Sequence, residues 1–288
     1  MEVLPVARNT LPSLFTRAFH RLQERLRHPA RRRQLARIFT LPRHTARPLT
    51  EADQDLRRDG VTFMPGYFTK EQAAELKDLL SGLECQDPWK MDRGLFRLED
   101  APEGTHVADI PAAPTLQALH DIAFDPRLLA LAARYFGGRP YVDSVQAWWS
   151  VSGNAEPEEA ENFHRDNDSI RFLKFFLYLT DVDDENGPHR FVRGSHVEPK
   201  ALERRRYTDV EIEDAFGTER ILLIKGRSGD AFMEDTFGVH KGQLPRSGVR
   251  LLVQVRYSAM PTVFRSRLII DGPRPALEEG ANSLLHAN

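Results

Sequence analysis

Cysteine is nearly missing: Cys85 is the one thiol in 288 residues. With no second thiol to pair with, an internal disulfide framework is excluded and a reducing compartment fits. No apolar run approaches the roughly 18 residues of a spanning helix, which excludes a helical membrane bundle. Internal repeats and low-complexity tracts are also absent. The opening MEVLPVARNT lacks a basic segment followed by an apolar one, so a cytoplasmic location is expected. What is present, 41% hydrophobic and 28% charged residues over this length, suits a soluble globular chain with one large domain and an appendage, or two small domains.

The net charge of -2 conceals an asymmetry: residues 1–48 carry eleven arginines against two acids, a net +9, and the remainder a net -11. Leu11, Leu14, Phe15, Ala18, Leu22 and Leu26 fall three or four apart, with Arg17, Arg21, Arg25 and Arg27 between them, which predicts an amphipathic helix. After Pro29 a shorter stretch follows with Leu35, Ile38 and Phe39. Such an arm can lie on an anionic membrane, bind nucleic acid, address an organelle, or pack on the acidic body of its own chain or a partner, and amphipathicity alone does not choose. A peripheral membrane or protein contact through residues 10–40 is thus one open use. No nucleic-acid partner is expected, because the acidic body would repel a phosphate backbone.

From Arg47-Pro48 a mixed domain begins. LTEADQDLRRDG predicts a helix ending at Gly60, Val61 to Met64 a strand, and Thr69 with Gln72 a capping box opening a helix with Ala73, Leu76, Leu79 and Leu80 inside. Asp125-Pro126 starts another helix that stops at Gly137-Gly138. Then β-branched and aromatic runs dominate: Tyr141 to Val151, Phe172 to Thr180, Ile221 to Ile224, Asp230 to Met233, Val249 to Tyr257 and Arg267 to Ile270. Many short strands without alternating long helices indicate a mainly β fold with flanking helices, an antiparallel barrel or jelly roll.

The chemistry concentrates at Phe163-His164-Arg165-Asp166. Residues i and i+2 of an extended chain point the same way, so His164 and Asp166 can offer an imidazole and a carboxylate to one metal. His-x-Asp alone is a weak signal. His240 is the best third ligand, and two His with one carboxylate make the facial set of non-haem Fe(II) oxygenases. Zinc competes, although the helical HExxH pattern is absent. Arg250, ten residues beyond His240 at the head of an apolar strand, can pair bidentately with a carboxylate; Arg246 and Arg256 are rivals.

RRDGVTFMPGYFTKEQAAELKDLL, QAWWS, FHRDND, FLKFFLYLTDVDDENGPHRFVRGSH, RSGDAFMEDTFGVHKG and RLLVQVRYS follow in that order. This series resembles the landmarks of the phytanoyl-CoA dioxygenase family, bacterial branch, over about residues 50–260. The resemblance implies a double-stranded β-helix (jelly roll, cupin-like) core across residues 49–270, between the arm of residues 1–48 and a tail from 271 to 288. It implies Fe(II) held by His164, Asp166 and His240, with 2-oxoglutarate and O2 as cosubstrates. Arg250 matches the residue that takes the distal carboxylate of 2-oxoglutarate, and Gln146 matches a glutamine that faces it. Two departures stand out: eleven residues from His to Arg are frequent in the family, and a Ser or Thr often stands where Gly242 is, so another hydroxyl or a water would complete the anchor.

The reaction so implied is hydroxylation of an unactivated C–H of a small metabolite, lipid or sugar-like substrate, with succinate and CO2 released. Asp166 disfavours the halogenating variant, which leaves that position vacant. Lys174, His189 and Trp148 are candidate substrate contacts, each with a structural alternative; His196 is expected in a structural turn, and Glu156 to Glu161 in a solvated loop, with a lid over the site as the alternative. The alternative function is a noncatalytic metal-binding or interaction protein on the same barrel, recruited by its arm.

Overall fold

The computed structural model describes Arg21 and residues 25–39 and 49–260. The first amphipathic stretch of the arm, the expected strand at 267–270 and the tail lie wholly or largely outside them. Helix α1 (Pro29–Phe39) docks on the body; among its residues whose burial is described, Pro29, Arg32 and Ala36 are buried and Leu35 is half-buried. Helices α2 (Glu51–Arg58) and α3 (Lys70–Ser81) open on capping boxes built by Thr50 with Asp53 and Thr69 with Gln72. Each box satisfies amide donors that the first helical turn would leave bare. Helix α4 (Gln117–Ala123), which the sequence reading missed, precedes α5 (Pro126–Phe136), which ends where Gly137 turns left-handed at φ 75°.

Among the described residues eleven strands form two sheets. They are β1 (Val61–Met64), β2 (Cys85–Gln86), β3 (Leu95–Phe96), β4 (Val107–Asp109), β5 (Tyr141–Val151), β6 (Phe172–Tyr178), β7 (His189–Val192), β8 (Ile221–Ile224), β9 (Ala231–Glu234), β10 (His240–Gly242) and β11 (Val249–Ser258). The large antiparallel sheet runs β1-β9-β6-β11-β5-β4-β2-β3 and the small one β10-β7-β8. Two expected boundaries shift for local reasons. Thr180 leaves the β6 ladder and accepts the Leu251 amide on its hydroxyl at 3.2 Å. Asp230 is a turn residue whose carboxylate takes the amides of Gly66 and Arg227, both at 2.7 Å.

Strand alternation decides what each face carries. Val145, Ala147 and Trp149 of β5, Leu173, Phe175 and Leu177 of β6, and Leu251, Val253 and Val255 of β11 pack against α3, α4 and α5 in the main core. Each such side chain, fully buried, contributes about 1.5–3 kcal/mol. The opposite face turns toward the small sheet and bears Gln146, Trp148, Ser150, Lys174, Arg250 and Gln254. A third cluster, with Phe163, Val192 and Val239, lies under helix α6 (Asp209–Phe216), also missed by the sequence reading.

Candidate active site

His164 belongs to no named strand, yet it pairs with β10: its amide donates to the His240 carbonyl at 2.9 Å and the His240 amide returns the bond at 3.0 Å. Two residues on, the Asp166 amide donates to the Thr236 carbonyl at 2.9 Å. Phe163, fully buried, anchors this segment from behind. The antiparallel pairing, not proximity in sequence, delivers His240 to the His-x-Asp pair.

The three side chains converge. One ligand atom from each of His164, Asp166 and His240 lies within 4.8 Å of the others, and the two imidazole Nε2 atoms stand 3.5 and 3.4 Å from the Asp166 carboxylate. His164 Nδ1 lies 2.8 Å from the Asn162 carbonyl, and His240 Nδ1 lies 3.0 Å from that of Gly238. A carbonyl only accepts, so in the neutral rings each Nδ1 keeps the proton and each Nε2 turns its lone pair to the centre. Burial, with His240 nearby, pushes His164 down to about 4. Burial would raise the Asp166 carboxyl, but Lys174 and then His240 outweigh it and hold it well below the usual carboxylate range. Burial would lower His240, but Asp166 raises it. Once that ring is deprotonated, two lone-pair imidazoles and an ionised carboxylate fit a divalent transition metal, with the cavity side left for further ligands.

Lys174 on β6 is a partner of this centre. Its ammonium lies 2.6 Å from Asp166 and 3.0 Å from Asp168, and Asp168 in turn takes Arg256 at 3.1 Å. Burial lowers the lysine, yet the two carboxylates leave it net raised and charged. His189 stacks on His240 with ring centres 5.5 Å apart and meets Glu234 at 2.9 Å. Burial pushes Glu234 up to about 8 and His189 well below its usual value, driving both toward their neutral forms.

Arg250, 3% exposed, donates to the Gly187 carbonyl and, at 2.9 Å, to the Ser150 hydroxyl across the β5–β11 ladder. Its Nε is buried with no hydrogen-bond partner among the described residues. A buried unpartnered donor costs about 1–3 kcal/mol, so an anion is the fitting complement. A Cβ on Gly242 would stand 3.3 Å from Arg250 Nη2, and Ser150 supplies a hydroxyl to that guanidinium from the neighbouring strand. Of the rivals, Arg246 sits at the surface beside Glu185 and Arg256 is committed to Asp168 and Asp143. Gln146 accepts from Gln254 at 2.9 Å, and Trp148 lines the cavity while Trp149 joins the core.

These groups enclose a cavity of about 560 Å³ whose outer wall comes from residues 86–114, with Trp89, Met91 and Asp109 among them. The acidic segment is only partly the solvated loop expected: Glu156 is exposed, but Glu161 is 5% exposed, lines the cavity and binds His106 at 2.7 Å through Oε2. Its Oε1 has no partner among the described residues. Ser150 and Gln254 escaped the sequence reading, whereas Glu161 stood within the acidic segment it named; strand alternation with Gln146 and Trp148 could have found Ser150. His196 lies in the turn Ser195–Val197, apart from the three candidate ligands.

A sequence model of the phytanoyl-CoA dioxygenase (PhyH) family matches residues 56–247. No curated protein matches the chain. Among solved structures, the fold is similar to that of EctD from S. alaskensis with bound Fe, at 16% identity over 82% of this chain and 88% of that one, with a TM-score of 0.56. It is similar to HygX from Streptomyces hygroscopicus with nickel and 2-oxoglutarate bound, at 20% identity, 75% and 89% coverage and a TM-score of 0.53. The non-heme alpha ketoglutarate dependent carbocyclase SnoK from nogalamycin biosynthesis gives 19%, 75%, 86% and 0.54. At these identities the likeness is one of fold.

Proposed function

The chain belongs to the phytanoyl-CoA dioxygenase family, and from that premise we propose that it is an Fe(II)- and 2-oxoglutarate-dependent oxygenase that hydroxylates an unactivated C–H of a small metabolite, lipid or sugar-like substrate. The observation that carries this reading is the convergence of His164, Asp166 and His240 on one point in the cavity that also holds Arg250. When bound, the metal and 2-oxoglutarate supply O2 activation coupled to loss of CO2, leaving succinate and a hydroxylated product.

The chain's own residues bind, orient and shield. His164, Asp166 and His240 would hold the metal, with their ring orientation fixed by the carbonyls of Asn162 and Gly238. Lys174 keeps Asp166 ionised. Arg250, steadied by Ser150 and Gly187, would take the distal carboxylate of 2-oxoglutarate, and its free Nε adds a donor. The Gln146–Gln254 pair offers amide groups to the same ligand or to substrate. Trp148 and the 86–114 wall keep bulk water from the reacting carbon.

Anaerobic titration of the metal-free protein with Fe(II) and 2-oxoglutarate tests this directly. A visible charge-transfer band from the chelated keto acid is expected, with a much higher 2-oxoglutarate requirement in Arg250→Ala. No band in folded, metal-replete protein would overturn the reading.

A further inference from the structure

A second cleft, unconnected with the metal-binding side chains, lies between α1 and the body. Arg33 and Arg37, four apart and therefore on one side of α1, form one wall; Arg57, Arg134 and Arg171 form the other, beside His196. No acid is among the lining residues, and the space measures about 800 Å³.

The arginines are unequally compensated. Arg134 is taken by both oxygens of Asp53, with its Nε at 2.9 and 2.8 Å. Arg57 donates only to the Arg134 carbonyl at 2.7 Å, and Arg171 lies over the Tyr135 ring at 4.4 Å. Arg33, Arg37, Arg57 and Arg171 form no ion pair among the described residues. Helix α1 is nevertheless held against this like-charged wall. Its neighbouring residue Arg32 is 3% exposed, bonds to Asn167 and the Ser169 carbonyl, and covers the Phe237 ring at 4.3 Å. Guanidinium groups on two facing walls make the space between them attractive to an anion.

We propose that this cleft is a binding site for a phosphate-bearing anion. Planar guanidinium forks match pairs of phosphate oxygens, and groups from both walls can engage one ligand at once. The space exceeds a single phosphate and admits a diphosphate or a phosphorylated small molecule. A lipid headgroup presents the same chemistry. Occupation would cross-link α1 to the body and favour its docked position.

Full-length protein is titrated calorimetrically with inorganic pyrophosphate at 150 mM NaCl, which screens diffuse surface attraction. A parallel arm measures co-sedimentation with phosphatidylglycerol–phosphatidylcholine vesicles against vesicles of phosphatidylcholine alone. The proposal expects saturable binding in at least one arm, weakened about tenfold or more in Arg33→Ala/Arg37→Ala. Arg31→Ala, an exposed arginine of the same helix that does not line the cleft, should leave it within about twofold. Hydrogen exchange across residues 29–39 should slow on binding. Saturation with pyrophosphate identifies a free phosphate ligand; binding confined to the anionic vesicles identifies a headgroup. No saturable binding in either arm, or equal loss in Arg31→Ala, overturns the proposal.

Discussion

Two of the candidate metal ligands differ in what else depends on them. His164 is held to the protein by one Nδ1 bond to a carbonyl, whereas Asp166 also neutralises the buried ammonium of Lys174, which keeps only Asp168 if Asp166 is lost. Both His164→Ala and Asp166→Ala should abolish the 2-oxoglutarate band and succinate release. Their metal-free forms should differ: thermal unfolding should show His164→Ala within about 1 kcal/mol of wild type and Asp166→Ala weaker by about 1–3 kcal/mol. Equal stabilities would show that Lys174 does not rely on Asp166. The Ser150 hydroxyl accepts from the charged Arg250 guanidinium, so Ser150→Ala should raise the KM for 2-oxoglutarate about 10-fold or more, the worth of one hydrogen bond to a charged group. Arg250→Lys should do far worse, since an ammonium cannot reach Gly187, Ser150 and a carboxylate as a planar fork does.

At the scale of elements, local signals were legible and lateral ones were not. Capping boxes, the Asp125-Pro126 start and the Gly137 stop each act within a few residues, and α2, α3 and α5 formed where those signals stood. Helix α6 carries the same signal, Thr208 with Glu211, which went unread among the surrounding charges. Strand β7 is four residues long with two basic side chains, and its partners β8 and β10 alone make it a strand. The site divides similarly. His-x-Asp could be read along the chain, but the Lys174–Asp166 contact and the Ser150–Arg250 bond are made across sheet neighbours.

Gly60 illustrates a signal read for one purpose that serves two. It ends α2 at φ 86°, and a Cβ there would lie 2.6 Å from His196 Nδ1. Gly60→Ala should therefore lower the urea midpoint by more than about 1 kcal/mol equivalent. Arg32 ties helix α1 to Asn167 and Ser169, so Arg32→Ala should speed hydrogen exchange across residues 29–39; unchanged exchange would show that other contacts hold the helix.

For the molecule as a whole, metal, cosubstrate and folding are linked. A ligand that binds only the folded chain adds about 2.7 kcal/mol at 100 times its Kd. Mn(II) with 2-oxoglutarate should thus raise the Tm of wild type, chelator should reverse the rise, and Asp166→Ala should show none. Among the described residues no helix is long and apolar enough to cross a membrane. The arm's described helix instead rests on the segment that follows Asp166, so part of the basic N-terminal region is a buttress of the catalytic domain. The cavity has a further division of labour. Much of its wall is written in one stretch, residues 86–114, while every candidate metal ligand and the Arg250 anchor come later in the chain. Rim and floor can therefore diverge at separate tempos: recombination that exchanges that stretch and keeps the β4 pairing to β5 would change which molecule enters while the metal ligands and Arg250 keep their places in the chain.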